Sequence, residues 1–322
     1  MRQFIGVDLG GTNLRAGAVD PETGRVNAFI TTPTRAAEGP EGVIAQISDL
    51  VLQVLSDGRL GGAQVGGVGV GVPGVLDLER GTTLLLPNLP GNWKGVPLRD
   101  TVARLTALPT KIINDARSIT YGEWRFGAGC GVEDMACLAI GTGIGGGLVI
   151  GGRLHLGFGG IAGELGHQII DHDGPICGCG GRGCLEVFAS GPAIAVMGQE
   201  ALKEGIGTRI GQLAGNDVSR ITAAIVHRAA LEGDSVAKGI LSRAGYYIGV
   251  ALANVCVSIG PKRIVLAGGV MQAGNLLLDP IRRTLIKRVR VMPINEVSVV
   301  ASTLGEYAGV IGSAMWAMDC LG

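Results

Sequence analysis

The chain has 322 residues, in which 27 lysines and arginines balance 27 aspartates and glutamates. This length is sufficient for two domains, each with its own hydrophobic core. The balanced charge, without a long basic or acidic block, gives no support for nucleic acid or an anionic membrane as a partner, and it leaves a small neutral ligand open.

The first part of the chain predicts three strands, a helix and a fourth strand. The strands are Gln3–Val7, Arg15–Val19, Arg25–Thr31 and Val65–Val72, and the helix is Glu41–Ser56. A glycine turn, DLGGTN at 8–13, joins the first two strands. This order differs from the strict alternation of strands and helices in a dinucleotide-binding sheet, and it resembles a ribonuclease H-like half.

The middle of the chain repeats this opening arrangement. A short helix is predicted at Leu98–Leu105, and a strand at Lys111–Ile113 ends in the polar pair Asn114-Asp115. Strand ends are where α/β sheets present reactive groups. A strand at Ala136–Ile140 then leads into a second glycine turn, GTGIGGG, and a further strand.

Helices alternate with strands in the remaining part of the chain and complete a second α/β lobe. The predicted helices are Ile194–Glu204, Ile221–Leu231, Ser235–Ser258, Leu277–Val289 and Glu306–Met318, and the strands are Arg263–Ala267 and Val297–Ala301.

Neither a signal peptide nor a membrane span is predicted. The N-terminal segment has no apolar stretch ahead of Asp8, which favours a cytoplasmic protein. The most membrane-like run, Ala244–Gly260, is shorter than the ~20 residues of a spanning helix and is interrupted by Gly245, Gly249 and Asn254. We interpret it as a buried helix.

The segment Gly163–Glu186 holds three of the seven cysteines and two of the four histidines. His167, Cys177, Cys179 and Cys184 follow the pattern H-x9-C-x-C-x4-C, which predicts one tetrahedral zinc site without an open position, and therefore a structural metal. The four glycines between the first and last cysteine suit a backbone that folds three thiolates around one ion, because glycine tolerates positive φ. The alternative is a glycine-rich loop with unligated thiols.

Glu164 and Glu186 flank the predicted ligands, so a metal-pinned loop would hold two carboxylates near each other. Such carboxylates suit a ligand rich in hydroxyl groups. His167 would ligate through one ring nitrogen and keep the other N–H as a donor. The alternative for both glutamates is solvated surface charge.

Each glycine turn follows a strand and can direct several backbone N–H groups at one point, as phosphate-binding nests do. The first turn adds the Thr12 hydroxyl and the Asp8 carboxylate, which suits Mg²⁺ or its waters. G-x-G-x-x-G matches at Gly69 and Gly141 are weak evidence for a dinucleotide, since neither opens a helix. A Walker loop is absent.

Asp115 is the candidate general base, because phosphoryl transfer to an alcohol requires a carboxylate within hydrogen-bond reach of the attacking hydroxyl. Asn114 beside it would orient a neighbouring hydroxyl. For this pair taken alone, an Asx turn or a helix cap is the commoner alternative.

Taken in order, the segments DLGGTN, NDAR, GTGIGGG, GELGH with CGCGGRGCLE, and LAGGV resemble the ROK family of sugar kinases and repressors over essentially the whole chain. The resemblance implies an α/β actin-like ATPase fold, in which two ribonuclease H-like lobes flank a cleft. The small lobe would comprise 1–114 with a C-terminal helix at 305–322. The large lobe would comprise 115–304 and carry the zinc loop.

The resemblance also implies roles for individual residues. Asp115 would be the base. Sugar hydroxyls would be bound by Asn88, Asn114, Asp115, Glu164, His167 and Glu186. The nucleotide would be bound by Asp8, Gly10, Gly11, Thr12, Asn13, Gly141, Thr142, Gly143, Gly145, Gly146, Gly268 and Gly269. Two positions depart from the family pattern: Arg117 stands where many members carry Asn, and Pro192 stands where a small hydroxyl residue is common. Arg117 is left outside the site.

The activity that the resemblance implies is transfer of a phosphoryl group from ATP, with Mg²⁺, to the 6-hydroxyl of glucose, with structural Zn²⁺ positioning the sugar-binding residues. N-acetylmannosamine, N-acetylglucosamine, fructose, allose and mannose stay open as substrates. A sugar-responsive repressor would require an N-terminal DNA-binding module, and the intact Asp115 argues against a non-catalytic sugar sensor. Family members are usually dimers or tetramers, so a homo-oligomer is expected.

Overall fold

The computed structural model describes residues 2–60 and 63–322 and confirms the predicted α/β class. Its strands are β1 Arg2–Leu9, β2 Asn13–Val19, β3 Val26–Pro33, β4 Gln64–Val72, β5 Val75–Asp77, β6 Thr82–Leu85, β7 Thr110–Asn114, β8 Met135–Ile140, β9 Ile144–Ile150, β10 Arg153–Leu154, β11 Arg263–Ala267 and β12 Ser298–Ala301. Its α-helices are α1 Gly39–Leu55, α2 Leu98–Thr106, α3 Asp115–Phe126, α4 Glu186–Ala189, α5 Gly191–Lys203, α6 Arg209–Leu213, α7 Ala223–Leu231, α8 Ser235–Ile259, α9 Asn275–Arg288 and α10 Ala308–Leu321.

Ten of these strands form two five-stranded sheets with the same order. The first sheet runs β3-β2-β1-β4-β7, and the second runs β10-β9-β8-β11-β12. In the first, β1 pairs antiparallel with β2 and parallel with β4, which pairs parallel with β7. In the second, β11 pairs parallel with both β8 and β12, while β10 pairs antiparallel with β9. The repeated strand–turn–strand arrangement predicted from the sequence is therefore part of a strand order that both sheets share.

The chain folds into two compact units. The first comprises Met1–Glu133, Gly147–Gly163 and Thr303–Gly322, and the second comprises Asp134–Gly146 and Glu164–Ser302. Helix α3 belongs to the first unit, since it packs against α10. The predicted boundary after residue 114 would instead assign α3 to the large lobe. The division of the chain into domains remains a prediction.

Helix α10 approaches the first sheet closely through glycines. A Cβ atom on Gly6 of β1 would overlap the carbonyl of Val310, and one on Gly69 of β4 would overlap the carbonyl of Ser313. Gly312 of the helix lies equally close to the carbonyl of Ser118 in α3. On the other face, α1 contributes buried aliphatic side chains to a separate core cluster with β1, β2 and β4.

Most predicted elements are confirmed, with corrections at the two glycine turns. Strand β1 continues through Asp8 to Leu9, because Asp8 pairs with Arg15 and Leu9 with Leu14. Strand β9 begins at Ile144, so Gly145 and Gly146 lie in a strand and not in the second turn. Helices α3, α4 and α6, the β5-β6 hairpin and β10 were not predicted.

Helix α8 contains the run predicted to be a buried helix. It is long and apolar enough to cross a membrane by length and composition, but 61% of its most apolar window is buried within the protein. It packs against α9, α7 and α5 in the second unit. Burial of this extent indicates a helix of the protein interior, as predicted.

Candidate active site

The first glycine turn is short and held in place from β3. The Gly10 N–H donates to the Asn13 carbonyl at 2.9 Å. Thr34, which follows β3, donates its hydroxyl to the Gly10 carbonyl at 2.7 Å and its N–H to the Thr12 carbonyl at 2.9 Å. Gly11 and Thr12 are exposed at the tip of this turn. The turn is thus fixed by its carbonyl groups, while its tip faces solvent.

Asp8 occupies the last part of β1 and is largely buried. Its Oδ2 accepts a hydrogen bond from Arg15 Nη1 at 3.3 Å. The carboxylate lies against α10, where a Cβ on Gly309 would come within 3.0 Å of both oxygens. Burial raises the pKa of Asp8, and Arg15 partly offsets this effect. A further cation at this carboxylate would stabilise its ionised form.

Asn114 and Asp115 lie at the junction of β7 and α3, as predicted. The Asn114 side chain caps α3: its Oδ1 accepts from the N–H groups of Ala116 at 3.0 Å and Arg117 at 3.2 Å, and its Nδ2 donates to the Gly74 carbonyl at 2.9 Å. The helix cap that the sequence left open as an alternative for this pair is therefore confirmed at Asn114. Asp115 Oδ1 accepts from the Ala116 N–H at 2.8 Å, and its side chain is partly exposed.

The parallel strands of the first unit bring these groups to one edge of the sheet. Asp8 is in register with Gly71, and Val72 with Asn114. Because one strand separates β1 from β7, the Asp8 and Asn114 backbones lie about 10 Å apart. Asn88 is exposed, and its carbonyl would lie 3.3 Å from a Cβ on Gly11. The first unit therefore assembles its predicted site residues around the first glycine turn.

Arg117, which the sequence interpretation left outside the site, is buried in the first turn of α3 and is 2% exposed. Its Nε donates to the Ala162 carbonyl at 3.0 Å. The guanidinium thus holds the glycine-rich loop that ends the Gly147–Gly163 part of the first unit. The burial of Arg117 could not be predicted from the sequence, because the residues around it show no hydrophobic pattern.

The second glycine turn is tied to the cysteine-rich segment through Glu186. The Gly141 N–H donates to the Gly143 carbonyl at 2.9 Å. Glu186 Oε2 accepts from the Ile144 N–H at 2.8 Å, and its Oε1 lies 3.7 Å from Cys177 Sγ. Glu186 therefore links the glycine turn to one of the predicted metal ligands.

The four predicted metal ligands converge. The ligating atoms of His167, Cys177, Cys179 and Cys184 all lie within 4.8 Å of one another. Cys179 Sγ is 3.7 Å from Cys184 Sγ, and Cys177 Sγ is 3.8 Å from His167 Nδ1. Thiolates at about 2.3 Å from a tetrahedral zinc are about 3.8 Å apart, so both the spacing and the donor types fit such an ion.

The backbone around the cluster is shaped by two of the four glycines, not all four. Gly180 has φ 86° and Gly183 has φ 69°, whereas Gly178 and Gly181 are outside the left-handed region. A Cβ on Gly183 would also overlap the Asp171 carbonyl. This glycine is required both for its conformation and for the close approach.

The thiols of the cluster differ in their electrostatic surroundings. Burial raises the pKa of Cys177, and it raises the pKa of Cys184 to about 12. The backbone N–H of Gly181 lowers the pKa of Cys179. A bound divalent cation favours the thiolate form of every ligand, whatever its surroundings.

Glu164 and His167 lie at the two ends of one turn. The His167 N–H donates to the Glu164 carbonyl at 3.1 Å, and the Glu164 side chain is exposed. His167 directs Nδ1 toward the thiols, which leaves Nε2 as the nitrogen available to another partner.

The second unit contains a cavity of about 490 Å³ beside the second glycine turn. Its lining includes Gly141, Thr142 and Gly269 from the predicted nucleotide-binding set. Gly268, with φ 92°, precedes Gly269 at the end of β11. The rest of the lining was not predicted. It comes from the start of α5, including Pro192, from α7 and the two residues before it, from Leu241 of α8 and from the segment 270–273.

Comparison with known proteins identifies relatives over the whole chain. A family model described as "ROK family" matches residues 4–320. The chain is 38% identical over 312 residues to a glucokinase of Thermotoga maritima, covering 97% of this chain and 96% of that protein. It is 30% identical over 309 residues to a xylose repressor of Caldicellulosiruptor bescii, covering 96% of this chain and 76% of that protein.

A solved structure gives the corresponding fold. A ROK family glucokinase from Streptomyces griseus, in complex with glucose and AMPPNP, matches with a TM-score of 0.85 and 36% identity over 98% of this chain and 99% of that one. The protein therefore has the actin-like ATPase fold of the ROK sugar kinases. Sequence, site and structural neighbours agree on one assignment: the chain is a member of the ROK family.

Proposed function

We propose that the protein is an ATP- and Mg²⁺-dependent kinase that phosphorylates the 6-hydroxyl of glucose. The observation that carries this proposal is the link through Glu186, whose carboxylate joins the second glycine turn to the Cys/His cluster. In this proposal, Glu186 connects the second glycine turn, which binds phosphate, to the Cys/His segment, which binds the sugar hydroxyls. The similarity to proteins named glucokinase supports glucose as the acceptor.

Asp115 acts as the general base in this proposal. Its carboxylate accepts the proton of the 6-hydroxyl as that oxygen attacks the γ-phosphorus in line. The position at the first turn of α3 supports this role, since α3 holds Asp115 at the edge of the sheet that also carries the first glycine turn. Asn114 uses both oxygen lone pairs for the helix cap and one N–H for Gly74, so it offers the sugar one remaining N–H.

The phosphate groups of the donor are bound by the two glycine turns. Exposed Gly11 and Thr12 supply backbone N–H groups and a hydroxyl in the first turn, and Gly141 to Gly143 supply the second. Asp8 neutralises Mg²⁺ or orients its waters. This role suits a carboxylate whose burial disfavours its charge until a cation is present.

His167 and the three cysteines hold zinc in this proposal. The ion supplies rigidity to the loop and leaves no open coordination position. The protein groups that it supports, Glu164, Glu186 and His167 Nε2–H, donate to or accept from the sugar hydroxyls and so orient the ring, with Asn88 as a further contact.

The test is ADP release from Mg-ATP by the purified protein, with glucose, mannose, fructose, allose, N-acetylglucosamine and N-acetylmannosamine as acceptors. We expect the highest kcat/KM with glucose and identify the product as the 6-phosphate by NMR. Preference for another sugar would retain the kinase and replace the substrate. Failure with every sugar, by protein that contains zinc and melts cooperatively, would overturn the proposal in favour of a sugar-binding regulator.

The oligomeric state of the protein is a separate expectation. We propose a homodimer or homotetramer, and light scattering coupled to size exclusion tests it. A monomeric mass at assay concentrations would overturn this expectation and leave the kinase proposal intact.

A further inference from the structure

We propose that Arg117 is a positioning residue for the sugar, which fixes the loop 157–163 and, through it, the carboxylate of Glu164. This inference rests on the proposed function, in which Glu164 binds a sugar hydroxyl. It assigns a role to a buried arginine at a position where many family members carry Asn.

The loop 157–163 depends on glycine for its conformation. Four of its residues have φ between 63° and 92°, and all four are glycines: Gly157, Gly159, Gly160 and Gly163. Glycine adopts this left-handed conformation without a steric cost, but it loses more conformational entropy than any other residue when it is ordered. Phe158, at the tip, is 96% exposed, so burial of its side chain does not hold the loop. The loop therefore depends on contacts at its ends.

The C-terminal end of this loop is held at Ala162. Its N–H donates to the Leu156 carbonyl at 2.9 Å, which closes the loop on itself. Its carbonyl accepts from Arg117 Nε at 3.0 Å, which attaches the loop to α3. A charged donor makes the stronger kind of hydrogen bond, and the burial of Arg117 limits competition by water. Ala162 is thus the point at which the helix holds the loop.

Helix α3 gives this contact a rigid base. The Asn114 side chain caps the first turn of α3 and there accepts from the Arg117 N–H at 3.2 Å. The Ser118 hydroxyl donates to a backbone carbonyl of α10 at 2.7 Å. Near the end of the helix, Glu123 is fully buried and its carboxylate accepts from the Leu304 N–H at 3.0 Å. The Arg117 side chain therefore extends from a helix that is held along its length.

Glu164 lies two residues beyond Ala162, with only Gly163 between them. On the other side, the Glu164 carbonyl accepts from the His167 N–H at 3.1 Å, so the Cys/His segment restrains the C-terminal side of Glu164. Loss of the Arg117 contact would remove the restraint on the N-terminal side, next to a glycine-rich loop. A carboxylate that must be ordered when the sugar binds gives a lower affinity than one already in place.

The experiment compares two variants of Arg117 with side chains of similar length. Arg117→Gln keeps an N–H donor at the same number of bonds from the backbone as arginine Nε, whereas Arg117→Met has no donor, and both lose the charge. We expect Arg117→Met to raise the Kd for glucose, measured by calorimetry, by about tenfold, and Arg117→Gln to raise it by less than about threefold. Equal Kd values in the two variants would overturn the inference.

Two controls separate positioning of the sugar from a general loss of structure. The KM for ATP should stay at the wild-type value in both Arg117 variants, because the loop precedes a residue that binds the sugar. Arg153→Met, at an exposed position of β10, makes the same chemical change at the surface and should leave the Kd for glucose unchanged.

A double-mutant cycle tests whether Arg117 acts through Glu164. Glu164→Ala alone should weaken glucose binding, and the addition of Arg117→Met to this variant should weaken it by little more. Effects that multiply in full would show that Arg117 influences the sugar by another route, and they would overturn the inference.

Hydrogen exchange provides a test that does not require Arg117→Met to fold. Arg117→Asn carries the residue common in the family, whose amide nitrogen is one bond nearer the backbone than arginine Nε and does not reach the Ala162 carbonyl at this geometry. Without sugar, the segment 156–164 should exchange faster in Arg117→Asn than in Arg117→Gln, and saturating glucose should reduce this difference. Equal exchange in the two variants would overturn the inference.

These measurements separate the inference from the function on which it rests. Glucose binding and hydrogen exchange do not require phosphoryl transfer. Wild-type protein that binds glucose without phosphorylating it would overturn the kinase proposal alone, and the double-mutant cycle would still decide the role of Arg117. Wild-type protein that binds no sugar would overturn both.

Discussion

The two glycine turns begin from the same topology and end with different supports. Each follows the first strand of a five-stranded sheet with the order third, second, first, fourth, fifth. The first turn is braced by the hydroxyl and N–H of Thr34, and its neighbouring carboxylate, Asp8, is buried beside Arg15. The second turn has no carboxylate of its own and is braced by Glu186 from the Cys/His segment.

The comparison shows how the same strand–turn–strand arrangement, present in both sheets, can be supported for two different roles. A phosphate-binding turn needs exposed N–H groups and a rigid base, and both turns have them. In the function that we propose, the carboxylates of the first unit have the chemical roles, Asp8 toward the metal ion and Asp115 as the proton acceptor. In the second unit, the same proposal gives the Cys/His cluster a positioning role, in which it fixes the loop that binds the sugar. The predictions below separate chemistry in the first unit from positioning in the second.

The largest expected effect is on the chemistry of the first unit. Asp115→Asn should lower kcat by about 10²–10⁴-fold, because the proton acceptor is lost, while glucose binding measured by calorimetry stays near the wild-type value. Asp49→Asn, exposed on α1, is the control. Turnover within a factor of two of wild type would remove Asp115 from its proposed role.

Next in size is loss of a metal ligand in the second unit. Cys179→Ser should reduce bound zinc, measured by mass spectrometry, lower the thermal midpoint by at least about 5 °C and weaken glucose binding, because the loop loses its closed coordination. Cys320→Ser, at an exposed cysteine of α10, controls for the chemical change. A midpoint equal to that of the control would contradict a structural metal.

A smaller effect is expected from cutting the link between turn and cluster. Glu186→Ala leaves the N–H of Ile144, which is 3% exposed, without its acceptor and should cost about 1–3 kcal/mol of unfolding free energy in urea titration. Glu186→Gln keeps a carbonyl oxygen and should recover part of this stability. Equal stability of the two variants would show that the Ile144 contact carries little energy.

The smallest effect concerns the buried charge of the first turn. Burial raises the pKa of Asp8 in the folded protein above 3.8, its value in the unfolded chain. At pH values between 3.8 and the higher folded-state pKa, the folded protein keeps a proton that the unfolded chain has released. The free energy of unfolding therefore falls as pH rises from 3.8 through the folded-state pKa of Asp8. Asp8→Asn should therefore raise the thermal midpoint at pH 7, measured without nucleotide or Mg²⁺.

Melting curves at several pH values test this sign. The advantage of Asp8→Asn should shrink as pH is lowered toward 3.8. An advantage that grows on acidification, or a loss of stability at pH 7, would mean that Arg15 more than compensates for the burial of the carboxylate.

The sequence predicted those features that rest on local pattern. Strand β11 was predicted with its observed bounds, because its apolar run is bounded by polar and glycine residues. The four metal-ligand candidates converge, as their close spacing predicted. The junction of β7 with Asn114-Asp115 was found from the polar pair alone.

Features that depend on distant neighbours were missed. Helix α3 contains Ile119, Thr120 and Gly122, which lower helix propensity. Its stability comes from packing against α10, where a Cβ on Gly122 would overlap the Ala308 carbonyl. Both turns proved shorter than predicted because cross-strand pairing extends β1 and β9 into glycine-rich sequence. The cavity has no local signature, since α5, α7 and the segment after β11 are far apart along the chain.

The position of α10 has a consequence for how the protein is made. Gly6 of β1 and Gly69 of β4 leave room for a helix, Ala308–Leu321, that is synthesised after both of these strands and after α3. Until then, the first unit exposes the apolar side chains of β1 and α3 that α10 will cover, including Phe4 and Tyr121. The second unit, whose segments lie between residues 134 and 302, can complete its core earlier. Nascent chains stalled before α10 should therefore be the species that chaperones bind.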